Sequence, residues 1–287
     1  MGLILHRDIS TPLGVYTLSV DKEDLSSVFP GMIRFAVLVR SGEQIFATFR
    51  TNTYEYPPTV QLEAEQVALA KAGKWAGELS EDPQKFFSSH RVQKDKELSV
   101  SPVDVLVIQG SPRAGGNCSI LASWVKMTTE KQNKTVRVIY PHDLNIKSCI
   151  GCYQCYNTGT CTFDDDMREI IDIIRHASVL VICSPVYTNS VPGGLKLLID
   201  RCQAYHAELT ITGHGGQKRK GLILSVAGRK GSSHFTCVTG VVIAFLRNLG
   251  FIPSGEILID GMDEIQDIRH IPGLIERVRA IVQDCLN

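Results

Sequence analysis

Four cysteines stand at positions 149, 152, 155 and 161, in the pattern Cys-x2-Cys-x2-Cys-x5-Cys. Thiolates are soft ligands for iron and zinc, and a pair of them is also a two-electron redox couple. Three thiolates at successive x2 spacing can wrap one side of a [4Fe–4S] cubane, and Gly159 permits the turn that returns Cys161 to the remaining iron. The same residues leave open a structural zinc site, a redox dithiol or disulfide, and buried inert cysteines. Zinc sites are usually built from two separated Cys-x-x-Cys knuckles, and the middle spacing here is tighter than that. The run Asp164-Asp165-Asp166 beyond Cys161 reads as the acidic first turn and cap of a helix rather than as metal ligands.

Three glycine- or proline-rich stretches carry a different chemistry. In Gly110-Ser111-Pro112-Arg113-Ala114-Gly115-Gly116-Asn117-Cys118-Ser119 an apolar strand gives way to a helix. Amides at the helix start, the hydroxyls of Ser111 and Ser119 and the Arg113 guanidinium together suit a phosphate dianion, and glycines such as Gly116 let it approach the backbone. The stretch is neither Gly-x-Gly-x-x-Gly nor a nucleoside-triphosphate loop, and an ordinary capped βα turn is its plainer reading. In the second stretch, Pro185, Val186, Tyr187, Thr188, Asn189 and Ser190 lie between stiffening prolines. They can offer amides to a flat heterocycle and lay Tyr187 over its face, although a rigid turn would account for Tyr187 equally well. The third, residues 227–234, holds Gly228, Arg229, Lys230 and His234 and suits either an anion or a solvated basic turn.

Hydrophobic periodicity supplies the elements that must position these stretches. Apolar runs at 103–109, 135–140, 179–184, 221–226 and 256–259 alternate with amphipathic segments at 117–132, 165–176, 193–202, 235–249 and 272–286. Five βα units of this kind predict an α/β, doubly wound, five-stranded parallel sheet, whose ligands bind at the carboxyl ends of the strands. Before it, β-prone runs at 3–9, 14–20, 32–40 and 44–50 precede helical patterns at 60–79 and 83–89, which predicts a small N-terminal α+β domain over residues 1–100. A polar linker over 90–102 joins it to the domain at 101–287. Cys183, Cys202, Cys237 and Cys285 fall at apolar positions and are expected in the core, while Lys196, Asp200 and Arg201 are expected on a helix surface or in an ion pair.

The 287 residues are 44% hydrophobic and 21% charged, with 30 basic and 30 acidic side chains, so net charge is +0. That balance argues against a nucleic-acid binder or a polybasic membrane protein and favours small-molecule partners. No apolar run approaches the roughly 18 residues needed to cross a bilayer, and the chain does not open on a cationic and apolar leader. With nine cysteines, an odd number, the expected setting is a reducing, cytoplasmic one.

Ser-Pro-Arg-x-x-Gly-Asn, then the four-cysteine pattern with Asp-Asp-Met, then Ser-Pro-Val-Tyr with Pro-Gly-x-Leu-Lys and Ile-Asp-Arg, resembles the NADPH-dependent FMN reductases of flavodoxin-like fold. Within that group the iron–sulfur flavoproteins are the nearest match. The resemblance covers residues 103–287 and implies FMN, its phosphate held by residues 111–119 and its ring by 185–190; the basic loop with Gly228 is then suited to the far edge of the flavin or to a nicotinamide phosphate. Where such proteins carry Thr or Ser after Asn117, this chain has Cys118, a weaker hydrogen-bond donor. The resemblance further implies NAD(P)H as a transient donor or a redox protein in its place, a [4Fe–4S] cluster on Cys149, Cys152, Cys155 and Cys161, electron-pair entry at the flavin with single-electron exit, and a homodimer or homotetramer. A cluster-free FMN or quinone reductase and a non-catalytic redox sensor are the rival readings.

Overall fold

The structure, a computed structural model, describes residues 2–56, 59–90, 101–213 and 219–287. The linker expected over 90–102 falls on residues 91–100, outside the described residues. Two units emerge, Met1–Glu97 with Gly151–Thr160, and Leu98–Ile150 with Cys161–Asn287. Ten residues of the cysteine stretch therefore belong to the first unit, a feature that the linear domain boundary near residue 100 does not express.

In the first unit, β1 (Gly2–Thr11), β2 (Gly14–Asp24), β3 (Ile33–Ser41) and β4 (Gln44–Asn52) form an antiparallel meander in that order. Period-two alternation buries Leu18 and Val20 of β2 and Phe35, Val37 and Val39 of β3 on one face. Onto that face pack α1 (Ala64–Glu81), through Ala68, Ala72, Trp75 and Leu79, and α2 (Pro83–His90), through Phe86. The small alanines at four-residue intervals keep the helix close to the sheet. This helix opens at Ala64 rather than 60, because Glu63 is extended (φ −116°, ψ 143°).

In the second unit, β5 (Val105–Gln109), β6 (Val136–Ile139), β7 (Val179–Pro185), β8 (Arg219–Val226) and β9 (Phe251–Ile259) are all parallel, in the order β6-β5-β7-β8-β9. This is the flavodoxin-like order 2-1-3-4-5. Val105, Val107, Val181 and Leu224 face one helical layer, made by α3 (Asn117–Glu130) and α8 (Leu274–Leu286). Leu106, Ile108, Leu180 and Ile223 face the other, made by α4 (Met167–His176), α5 (Gly193–Arg201), α6 (Gln203–Thr212) and α7 (Thr236–Asn248).

Three details depart from the sequence reading. Strand β9 begins at Phe251 rather than 256; Pro253 hides the strand signal, yet β9 is an edge strand with a register shift opposite Gly221/Leu222, where proline is tolerated. Helix α6 went unrecognised because it follows α5 after a single residue, Cys202. Cys237 is exposed rather than in the core: the buried stripe of α7 runs through Val238, Val242, Phe245 and Leu246, and Cys237 is out of phase with it. Among the described residues, no helix is long and apolar enough to cross a membrane.

Candidate functional site

The carboxyl ends of β5, β7, β8 and β9 enclose a cleft of about 940 Å³, within the range of cofactor sites. Its first wall is the turn from β5 into α3. Gln109, fully buried, accepts the Ser111 amide at its Oε1 (2.7 Å) and donates from Nε2 to Ser119 Oγ (2.8 Å). Ser111 Oγ accepts from the Arg113 amide (3.2 Å), while the Arg113 carbonyl accepts from Gly116 N–H and Ser119 Oγ, each at 3.3 Å. The loop is thus closed on itself before any ligand arrives. Gly116 caps α3 without a side chain, so no side-chain oxygen competes for the first amides of the helix. A Cβ at Gly116 would lie 3.3 Å from the Arg113 Cβ, crowding the turn.

Of the residues expected on this loop, Ser111, Arg113, Gly116, Asn117 and Cys118 line the cleft, but Ser119 does not. Its hydroxyl is spent on Gln109 and Arg113, so Ser119 positions the loop. Asn117 likewise holds structure together: its Nδ2 donates to the Gln266 carbonyl (3.0 Å) and its Oδ1 accepts from the Ile268 amide (3.2 Å). Cys118 borders the cleft but is only 2% exposed and belongs to the apolar cluster of Val107, Leu121 and Val181; burial pushes the pKa of its thiol up to about 12.

The second wall, Pro185, Val186, Tyr187, Thr188 and Asn189, is a two-residue hairpin. Tyr187 and Ser190 exchange both backbone hydrogen bonds (2.9 Å each) around Thr188 (φ 47°) and Asn189 (φ 57°). Ser190 closes the hairpin and does not line the cleft. Left-handed backbone is unfavourable for β-branched Thr188, and such strain concentrates at ligand-binding turns. Thr188→Asn is expected to raise stability by about 1 kcal/mol, or roughly 2–4 °C in melting temperature, because Asn tolerates this conformation. An unchanged or lower melting temperature in calorimetry would contradict this account of the turn.

The third wall is residues 227–234, of which Ala227, Gly228, Arg229 and His234 line the cleft. A Cβ on Gly228 would come within 2.4 Å of Asp263 Oδ1, so only glycine lets this loop lie against the next. That next loop, after β9, contributes Met262, Asp263, Gln266, Asp267 and Arg269, none of which the sequence reading singled out. The strand-end rule pointed to it; the short motif after β9 simply lacks the Gly-Pro signature of the others. Charge is partly cancelled here. Lys230 pairs with Glu264 (2.6 Å), and Arg269 pairs with Asp267 (2.5 Å), whose carboxyl its hydrogen bonds hold down at about 2. Among the described residues neither Arg113 nor Arg229 is in an ion pair.

The four loop cysteines divide between the units: Cys152 and Cys155 in the first, Cys149 and Cys161 in the second. None is buried and none is in a disulfide, in contrast to Cys118, Cys183, Cys202 and Cys285, whose buried thiols have pKa values raised by burial. Accessible thiols are the donor type that a thiophilic iron or iron–sulfur group takes. Among the described residues, no three Cys, His, Asp or Glu side chains are grouped as for a metal ion.

In the second unit Lys196, Asp200 and Arg201 are all in ion pairs, one of the two settings expected for them, but that of Arg201 is buried rather than on the surface. Lys196 and Asp200 do form an exposed i,i+4 pair (2.6 Å), but Arg201 and Asp165 are an ion pair with side chains 1% and 0% exposed. Arg201 Nη1 donates to Asp165 Oδ2 (2.6 Å) and to the Lys147 carbonyl (2.7 Å), and Nη2 to Asp165 Oδ1 (3.0 Å). Asp165 also accepts the amides of Lys147 (3.0 Å) and Met167 (3.2 Å), and Asp166 accepts that of Asn145 (2.8 Å). The acidic run thus fastens residues 145–147 to the start of α4 as well as serving that helix.

The sheet order and the cleft at its switch point define a flavodoxin-like α/β protein. Residues 103–261 match the family described as NADPH-dependent FMN reductase, and the chain belongs to that family. It is similar to an iron–sulfur flavoprotein of Methanocaldococcus jannaschii, 34% identical over 97 residues (34% of this chain, 50% of the relative), and to one of Archaeoglobus fulgidus, 30% identical over 148 residues (52% and 64%). The chain spans about half the length of the first curated relatives it matches. A solved structure of a flavone reductase superposes with TM-score 0.49 at 15% identity, covering 63% of this chain and 61% of the other.

Proposed function

We propose that the chain is an FMN-dependent oxidoreductase that takes an electron pair from NAD(P)H or a reduced carrier and delivers electrons singly through a [4Fe–4S] cluster on Cys149, Cys152, Cys155 and Cys161. The observation that carries the flavin part is the cleft itself, where a pre-closed anion loop, a strained hairpin and a glycine-floored loop converge. Ser111, Arg113, Gly116, Asn117 and Cys118, chiefly through backbone and guanidinium, would hold the phosphate; residues 185–189 and Gly228 would border the ring. Bound FMN supplies hydride acceptance and one-electron release. The protein's part is to fix the phosphate and to give the ring a preformed cleft. No side chain is assigned as acid or base. The reading includes a small-molecule or redox-protein donor and acceptor, a reducing cytoplasmic setting and self-association as a homodimer or homotetramer.

Anaerobic purification with flavin and iron quantified per chain tests it: about one FMN and about four irons are expected. Cys161→Ala should lose most of the iron and keep the flavin, since the cleft is built from other loops. Flavin without iron in the unaltered chain would leave the second reading, a cluster-free NAD(P)H:FMN or quinone reductase.

A further inference from the structure

The first unit is built around the middle of the cysteine stretch. Arg34 and Asn52 are cross-strand partners at one end of the β3–β4 pair, and Glu55 follows one turn later in a capping box with Asn52. These three side chains take up the polar groups of residues 153–157. Arg34, held by Glu23 (2.5 Å), donates to the carbonyls of Tyr156 (3.3 Å) and Asn157 (3.2 Å). Asn52 Nδ2 donates to the Tyr153 carbonyl (3.2 Å) and to Asn157 Oδ1 (2.8 Å). Asn157 Nδ2 donates to Glu55 Oε1 (2.7 Å), and Gln154 Nε2 donates to Glu55 Oε2. Asn52 and Asn157 are 0% and 2% exposed.

Aromatic contacts close the sides: Phe29 meets Tyr156 edge-on (4.4 Å between centroids), and Tyr54 meets Tyr153 (5.3 Å). Within this cradle the backbone is forced into left-handed geometry at Tyr153 (φ 56°), between Cys152 and Cys155, and again at Gly159 (φ 77°), whose amide closes the turn on the Cys155 carbonyl (2.7 Å). An aromatic residue at positive φ persists only where its surroundings over-determine it. Buried, partnered side-chain amides such as those of Asn52 and Asn157 specify one conformation, because alternatives leave one of them unpaired.

We infer that the four-stranded sheet β1–β4 and the turn that follows it act as the scaffold of the Cys152–Cys155 pair, with Arg34, Asn52, Glu55 and Asn157 as positioning residues that set the two thiols in a fixed conformation. The inference is distinct from the cluster reading in its core, since the cradle is formed by protein groups alone; its consequence for iron rests on that reading.

The test uses the full chain with iron removed under reducing conditions, comparing wild type with Asn157→Ala. Hydrogen exchange of peptides covering 151–160 is expected to be protected in wild type and to speed up 10- to 100-fold in the variant, with β2 and β3 peptides unchanged. Maleimide labelling should accelerate at Cys152 and Cys155 but not at Cys149 or Cys237. If Asn157→Ala also loosens the sheet, Glu55→Gln, which removes one charge at the rim of the cradle, gives the same comparison. Exchange at 151–160 as fast as in an open loop in wild type, or unchanged exchange and labelling in the variants, would overturn the scaffold. In anaerobically iron-loaded protein, chelator bleaching of the cluster absorption should be about tenfold faster in Asn157→Ala; equal rates would overturn the scaffold's bearing on the cluster. A wild type that takes up no iron sinks the cluster reading alone, because exchange and labelling are read without iron.

Discussion

Arg201→Met is expected to lower unfolding free energy by about 3–5 kcal/mol at neutral pH, the cost of leaving a buried carboxylate without its counter-charge. Asp165 would keep the amides of Lys147 and Met167 but lose both guanidinium bonds, and the Lys147 carbonyl would lose its donor. The pH dependence separates this from a packing defect. In the wild type, burial works to raise the Asp165 pKa, but the hydrogen bonds and charge of Arg201 outweigh it and hold the value below that of an ordinary carboxyl. The pair therefore contributes stability that is fully present above the usual carboxyl pKa of about 4 and lost as pH falls through the lower folded value. Without Arg201 only the Lys147 and Met167 amides oppose burial, so the Asp165 pKa rises from its wild-type position and the deficit of the variant narrows between pH 7 and pH 4. Denaturant titrations at both pH values, with Arg201→Met/Asp165→Asn as partial rescue, decide the matter. A deficit under 1 kcal/mol, or one independent of pH, would show that the pair is not the fastening described.

The sheet was legible because β5, β7 and β8 are nearly unbroken apolar runs, as strands covered on both faces must be, and because the loops after them carry glycine and proline in motif order. What escaped has a common cause: it depends on partners distant in sequence. Gln109 looks like one more strand residue until its two ends are seen bonded to Ser111 and Ser119. Arg201 sits at the polar end of an amphipathic helix, and only the return of Asp165 from 36 residues earlier makes it a buried ion. The loop after β9 joins the cleft through Asn117, 149 residues before Gln266. The assignment of Gly151–Thr160 to the first unit is the extreme case, since Asn157 and Asn52 are 105 residues apart and neither belongs to a recognisable motif.

Arg113→Ala is expected to weaken FMN binding about 10- to 100-fold, the effect of one charge-assisted hydrogen-bonding partner worth roughly 1.5–3 kcal/mol, while leaving the weak binding of riboflavin unchanged. The contrast follows from charge placement. Lys230 and Arg269 are already neutralised by Glu264 and Asp267, so among the described residues of the cleft the arginines outside ion pairs are Arg113, on the loop that opens α3, and Arg229 across the cleft. The uncapped first turn of α3 lies beside Arg113, and a dianion there meets both the helix dipole and the guanidinium. A phosphate monoester gains its second charge with a pKa near 6, so wild-type affinity should fall as pH drops below about 6, and the Arg113→Ala variant should show a shallower fall. Fluorescence titrations with FMN and riboflavin at pH 5 and pH 8 read both effects. Equal losses for the two flavins would place the phosphate elsewhere, with Arg229 the next residue to replace, and an unchanged FMN affinity would mean that the backbone amides of the β5–α3 turn hold the phosphate without the guanidinium.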